Sequence, residues 1–259
     1  MKCDITRRQC AIGGVLLTIP NVLFGQSRGL LSEVRPEFRI ESLSFIGALR
    51  ELALACRPGL LFGVEWVAEN GPEKRFTRTF REASAQSILS DLCTIDGRYT
   101  YSYDRARDVV NVKLRQSPIE YQELLSLTVK PRRLTGNGWP ENLIGSYTDA
   151  TPEIQAYRLQ KARAYHALHP NSVPMGQPGV CSNLAGPRPS YDVSLNGTTV
   201  REQLNELAAY TRRMKGVDTK NSPSGRIEAS PTGWQFTIVP VDGAQNGLGG
   251  YPQFANFPQ

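Results

Sequence analysis

The chain has two histidines, His166 and His169, and they stand three residues apart in a stretch of helical pattern. An i,i+3 pair shares one helix face, which is half of a metal site; Asp149, Glu153 or Cys181 would have to supply a third ligand. No metalloenzyme spacing accompanies the pair, and two histidines at a helix end are also what the helix dipole favours. Cys181 could serve as a nucleophile beside a histidine, but it lies in a Pro- and Gly-rich stretch with no strand-to-helix turn to hold it. No G-x-S-x-G motif is present, and the glycines at 247–250 open no helix that could cradle a phosphate. Asn196-Gly197-Thr198 has the form of a glycosylation acceptor but reads as a turn. Asp and Glu are spread along the chain, with no pair marked out for sugar chemistry. The expectation is therefore no catalytic residue, no cofactor and no metal, with His166 and His169 as the remaining metal candidates.

Cys56 and Cys93 each end a segment of helical periodicity, so neighbouring helices would let them pair. Such a disulfide closes a loop of roughly forty residues, worth about 4 kcal/mol in the chain-entropy description. The alternative is two buried thiols in a helix contact. Trp66, Trp139 and Trp234, with Tyr99, Tyr101 and Tyr103, could present an aromatic surface, although alternation along a strand turns half of such residues inward.

The start of the chain has the three-part form of an export signal. Lys2, Arg7 and Arg8 precede an apolar run from Cys10 to Phe24, and Gly25 closes it before a polar stretch. The run of roughly fifteen residues falls short of the roughly 20 that span a bilayer, so no permanent membrane span is expected after cleavage. Thr6-Arg7-Arg8-Gln9 is similar to the opening of a twin-arginine signal. Cys10 stands where that motif has a large apolar residue, and its lysine is missing, so ordinary secretion stays open as well. A periplasmic or secreted protein is expected, with residues 1–25 as its signal. Of the net charge of +6, the signal carries two units, and the remaining basic residues are scattered among acids. Nucleic acid is therefore not an expected partner.

Beyond the signal, Phe38 to Leu43 alternates as a half-buried strand, and Ser44 caps a helix with Phe45, Ala48, Leu49, Leu52, Ala53 and Cys56 on one face. Leu61 to Val67 and Arg75 to Arg81 read as strands. Ser84 caps a second helix, and Tyr99–Tyr103 with Val109–Leu114 forms a hairpin. Residues 121–129 read as a short helix running into a strand, and 152–169 as a helix with Thr151 as its cap and Pro152 at its first position. A long loop is expected at 170–189. Tyr191–Leu195 is a strand, Thr199 and Glu202 form a capping box for the next helix, and Gly233–Pro240 is a closing strand. The tail from Asp242 is expected to be disordered.

Three segments share one plan: FRIESLSFIGALRELA at 38, RTFREASAQSILSDLC at 78 and YDVSLNGTTVREQLNELA at 191. Each is an alternating strand, a Ser or Thr cap and an amphipathic helix, and an aromatic strand follows each. The stretch 38–114, with its ALRELA helix, its GLLF strand, its LSDLC helix end and its YTYSY…VVNVKL hairpin, resembles the secretin and TonB short N-terminal domain. The segment 191–240 resembles part of a second copy, to be completed by strands from 121–130.

The order of elements and the resemblance together imply an α+β fold: a small two-layer βαββαββ module over 38–116 with helices packed on small sheets. A second, less regular α+β unit over 117–240 would follow, with 241–259 as tail. It also implies a partner among cell-envelope or outer-membrane proteins, although no secretin-like or barrel-like β region follows here. The expected function is a non-enzymatic interaction module. A secreted metal-dependent hydrolase with its site in 145–185, or a glycan- or peptidoglycan-binding protein, is the alternative. Arg78 and Arg81, on the strand before the second helix, and Tyr101 and Tyr103, on the hairpin, are the expected contact residues.

Overall fold

The computed structural model describes residues 30–56, 60–66, 74–138, 143–168, 189–213, 233–240 and 250–257. The class is α+β. The elements in chain order are β1 (Val34–Leu43), α1 (Phe45–Ala55), β2 (Leu61–Glu65), β3 (Phe76–Ser84), α2 (Ala85–Ile95), β4 (Tyr99–Asp104) and β5 (Val109–Leu114). They continue as α3 (Ile119–Leu125), β6 (Arg132–Asn137), α4 (Leu143–Asp149), α5 (Pro152–Leu168), β7 (Ser190–Leu195), α6 (Val200–Arg213), β8 (Gly233–Pro240) and β9 (Gly250–Phe257).

The caps form as the sequence implies. Ser44 Oγ accepts from Gly47 N, and Ser84 Oγ accepts from Ser87 N, each satisfying a donor that the first helical turn leaves free. Thr199 and Glu202 close the reciprocal box at the start of α6. Thr151 behaves differently: its hydroxyl donates to Tyr147 O, tying α5 back to α4 instead of capping it.

The repeated plan is visible in the backbone itself. Ser42 and Glu82 each stand two residues before the capping serine, and both adopt a left-handed conformation, at φ 51° and 48°. The two strand-to-helix corners therefore turn alike, although neither has the glycine that this conformation favours.

β1 and β3 pair antiparallel as a two-stranded ribbon, with Phe38 opposite Phe80. β2 instead joins a five-stranded mixed sheet in the order β4-β5-β2-β8-β9. The sheet thus takes strands from both ends of the described chain. β6 and β7 form a second ribbon.

Layering follows from side-chain parity. Tyr99 of β4 stacks on Phe45 of α1 with ring centroids 4.1 Å apart, and Tyr101 reaches Ser90 of α2. On the other face, Glu65 of β2 meets Arg201 of α6, and Trp234 of β8 meets Asn205 of α6. The central sheet is therefore covered on both sides, by α1 and α2 under the first ribbon and by α6 beside the second. All five residues of β2 are buried for this reason.

Two expectations are corrected here. The tail carries β9, which pairs with β8 from Gly233↔Phe257 to Pro240↔Gly250. Its Gly, Pro and Asn content hides a strand whose order comes from that partner. The partner of β7 is β6 at 132–137, not a strand within 121–130, where α3 stands. The signal at 1–25, the predicted loop at 170–189 apart from Pro189, with Cys181 in it, and Trp139 lie outside the described residues.

Candidate functional site

The four expected contact residues divide between two places. Arg78 and Arg81 stand on β3, in the outer ribbon. Arg81 is exposed opposite Glu37, and Arg78 lies 51% exposed, forming an ion pair with Asp91 at 3.1 Å and passing over the Phe80 ring. Tyr101 and Tyr103 turn the other way, onto the α1 and α2 side of the sheet, and are half-buried. Tyr101 OH is 3.0 Å from Ser90 Oγ. Tyr103 OH donates to Asp108, and burial followed by that carboxylate pushes its pKa up to about 12. These two tyrosines pack partly against the core, while the two arginines are exposed.

The ribbon has one inward and one outward side. Phe38, Ile40 and Phe80 point into the core, while Glu37, Arg39, Glu41, Thr79 and Arg81 face out. Among the described residues β1 pairs only with β3 and β3 only with β1, so the backbone N–H and C=O groups along both outer edges are unpaired by any strand.

A polar seam missed in the sequence joins the β4–β5 turn to α6. Arg107 donates to Asp104 at 3.1 Å and to Glu206 at 2.8 Å. Arg212 pairs with Asp108 at 2.7 Å, and Asn205 donates to Asp104 while accepting from the Trp234 indole at 2.8 Å. The other oxygen of Glu206 accepts from Asn196 N and Gly197 N. Deeper in, Glu65 is 2% exposed and receives Arg201, Leu114 N and Ser117 Oγ. Beside it Lys113 is held below the ordinary lysine range, first by burial and then by Arg201. Nothing local flags this seam, because its partners lie roughly a hundred residues apart and no short-period residue pattern spans such a gap.

Cys56 and Cys93 are two buried free thiols and do not form the expected disulfide. Each faces its own surroundings: Cys56 ends α1 beside Arg35, and Cys93 sits near Arg115 and Asp96. Burial raises both thiols, Cys93 to about 11, which leaves them protonated at neutral pH.

His166 lies in α5, and its side chain, like all of His169, falls outside the described residues. Of the proposed further ligands, Glu153 is taken by Arg132 at 2.7 Å and Asp149 lies 3.8 Å from Arg158. Among the described residues no three His, Cys, Asp or Glu side chains are placed to hold a metal, and no helix is long and apolar enough to cross a membrane. No family model, no curated protein and no solved structure matches this chain.

Proposed function

We propose that this chain is a non-enzymatic docking module that works outside the cytoplasm, binding a cell-envelope protein through a domain of the secretin and TonB short N-terminal type. Two helices packed on small sheets, in the order strand, helix, strand, strand, helix, strand, strand over 34–114, support the resemblance. The basic start and apolar run ahead of Gly25 support export.

One observation carries the docking reading: the β1–β3 ribbon stands apart from the main sheet with both outer edges unpaired among the described residues. Such edges offer backbone hydrogen bonds to an added strand. The central sheet has its β2 flank filled by β8, which leaves β4 and β9 as its outermost strands.

The test is a crosslinking pull-down from the source envelope with the chain from residue 26 onward, against a variant with Arg81→Glu and Thr79→Pro in the ribbon. Deleting 38–114 would remove most of the central sheet and is not a clean control. A protein recovered by the parent and lost with the variant supports the reading. Equal recovery by both, or none by either, counts against it.

A further inference from the structure

We propose that the outer edge of β3 receives an acidic, extended segment of a partner protein as the third strand of the β1–β3 ribbon. The proposal rests on the docking reading above and names the edge and the chemistry of what it takes.

Three observations meet at this strand. Thr77, Arg78, Thr79, Arg81 and Glu82 are all exposed, so residues on both faces of the strand are open to solvent. The strand and its approach carry Lys74, Arg75, Arg78 and Arg81 against two acids, Glu73 and Glu82. That charge is only partly compensated. Arg78 shares Asp91 while remaining half exposed. Arg81 lies opposite Glu37, but the Glu37 carboxylate is bound by Arg39.

The other edge of the ribbon is less suited. β1 contains Pro36, which has no N–H to donate, and its arginines alternate with Glu33, Glu37 and Glu41. A strand bearing carboxylates on alternate residues would match β3 twice, through backbone bonds along its edge and through charge on its sides. The competing account is that the basic residues only blunt an edge that would otherwise aggregate.

The experiment uses the chain from residue 26 and a fluorescein-labelled peptide of alternating Glu and Val, with alternating Gln and Val as control, read by anisotropy at low and high salt. Binding of the Glu peptide is expected, weakened by salt and reduced roughly tenfold, about 1.4 kcal/mol, in Lys74→Gln/Arg78→Gln/Arg81→Gln. Hydrogen exchange of the β3 amides should slow on binding. Protection at β4 or β9 instead, or equal affinity for the triple variant, overturns the proposal. So does binding of polyphosphate at the same strength without protection of β3, which would mean charge attraction alone. No peptide binding, with self-association of the triple variant, would establish the blunting account. A photocrosslinking residue in place of Thr79 or of Ser102 separates the two levels. Capture in envelope extract from the second position alone keeps the docking reading and removes this edge, and capture from neither removes both.

Discussion

The indole of Trp234 lies against the bare backbone of Gly63. A Cβ placed on Gly63 would stand 2.4 Å from Trp234 Cε2 and 2.6 Å from Nε1, and the tryptophan is fully buried there. The two are Cα partners across the parallel β2–β8 pairing, so the absence of a side chain on one strand makes room for the largest side chain on the other. The indole N–H is not stranded by this burial, because Asn205 accepts it.

Gly63→Ala is therefore expected to cost about 1–3 kcal/mol through overpacking, and Trp234→Ala about 3–5 kcal/mol through the cavity it leaves. The double variant should fall short of the sum, since the alanine methyl occupies space that the missing indole vacates. Urea unfolding followed by far-UV circular dichroism checks all three. A strictly additive pair would show that the contact is not formed.

Breaking the Glu65–Arg201 pair should be costly. Glu65 is 2% exposed, so Arg201→Leu leaves a buried carboxylate with only Leu114 N and Ser117 Oγ for compensation. A loss of about 3–5 kcal/mol is expected, whereas replacing both residues together with Leu and Met should cost far less. The comparison of the single and double variants by denaturant titration is the measurement; similar losses would mean that packing, not charge, sets the effect.

At the β3–α2 corner the expected change is a gain. Glu82 adopts φ 48° without being glycine, and Glu82→Gly relieves that strain, raising stability by about 0.5–1 kcal/mol net of the added freedom of the unfolded chain. Glu82→Val, branched at Cβ, should lose more than about 1 kcal/mol at the same site. Thermal unfolding of the two variants side by side gives opposite shifts if the corner is as described.

The pH dependence has two limbs. Burial raises Cys93 from its ordinary 9.0 to about 11, so the unfolded chain gives up this proton first. The stability this contributes is complete below about pH 8.5 and is lost as pH rises through 11. Cys93→Ala should flatten that alkaline limb. Asp96, held below the ordinary carboxylate range by its hydrogen bond from Arg98, and Glu202, held low by Thr198, act in the opposite sense. Their contribution is present at neutral pH and is lost as pH falls through the carboxylate range. Urea midpoints across pH for the parent, Cys93→Ala and Glu202→Gln separate the two limbs.

What the sequence discloses is local. The alternation of FRIESL, the serine caps at 44 and 84, and the box at Thr199 and Glu202 each write their element in a few adjacent residues, and each forms where expected. Arg81 is legible for the same reason, on the outward side of a short-period pattern, whereas Arg78 shares the side of Phe80 and reaches solvent over its ring. Alternation gives Tyr101 and Tyr103 one common face without saying what covers it; α1 and α2 lie on that face. The seam of Arg107, Glu206, Arg212 and Asp108 could not be found, since charged residues in a turn and on a helix look like a solvated surface until the two are brought together. β9 is the extreme case, a strand of poor intrinsic preference made by its neighbour.

The position of β8 bears on how the chain is made as well as how it stands. β2 is finished early, yet its flank waits for a strand roughly 170 residues further on, and non-local closures of this kind are slow to form. During synthesis that hydrogen-bonding edge is bare, and a nascent chain in that interval is open to pairing with the wrong strand. A chain stopped ahead of Gly233 would lack β8 and keep that edge open.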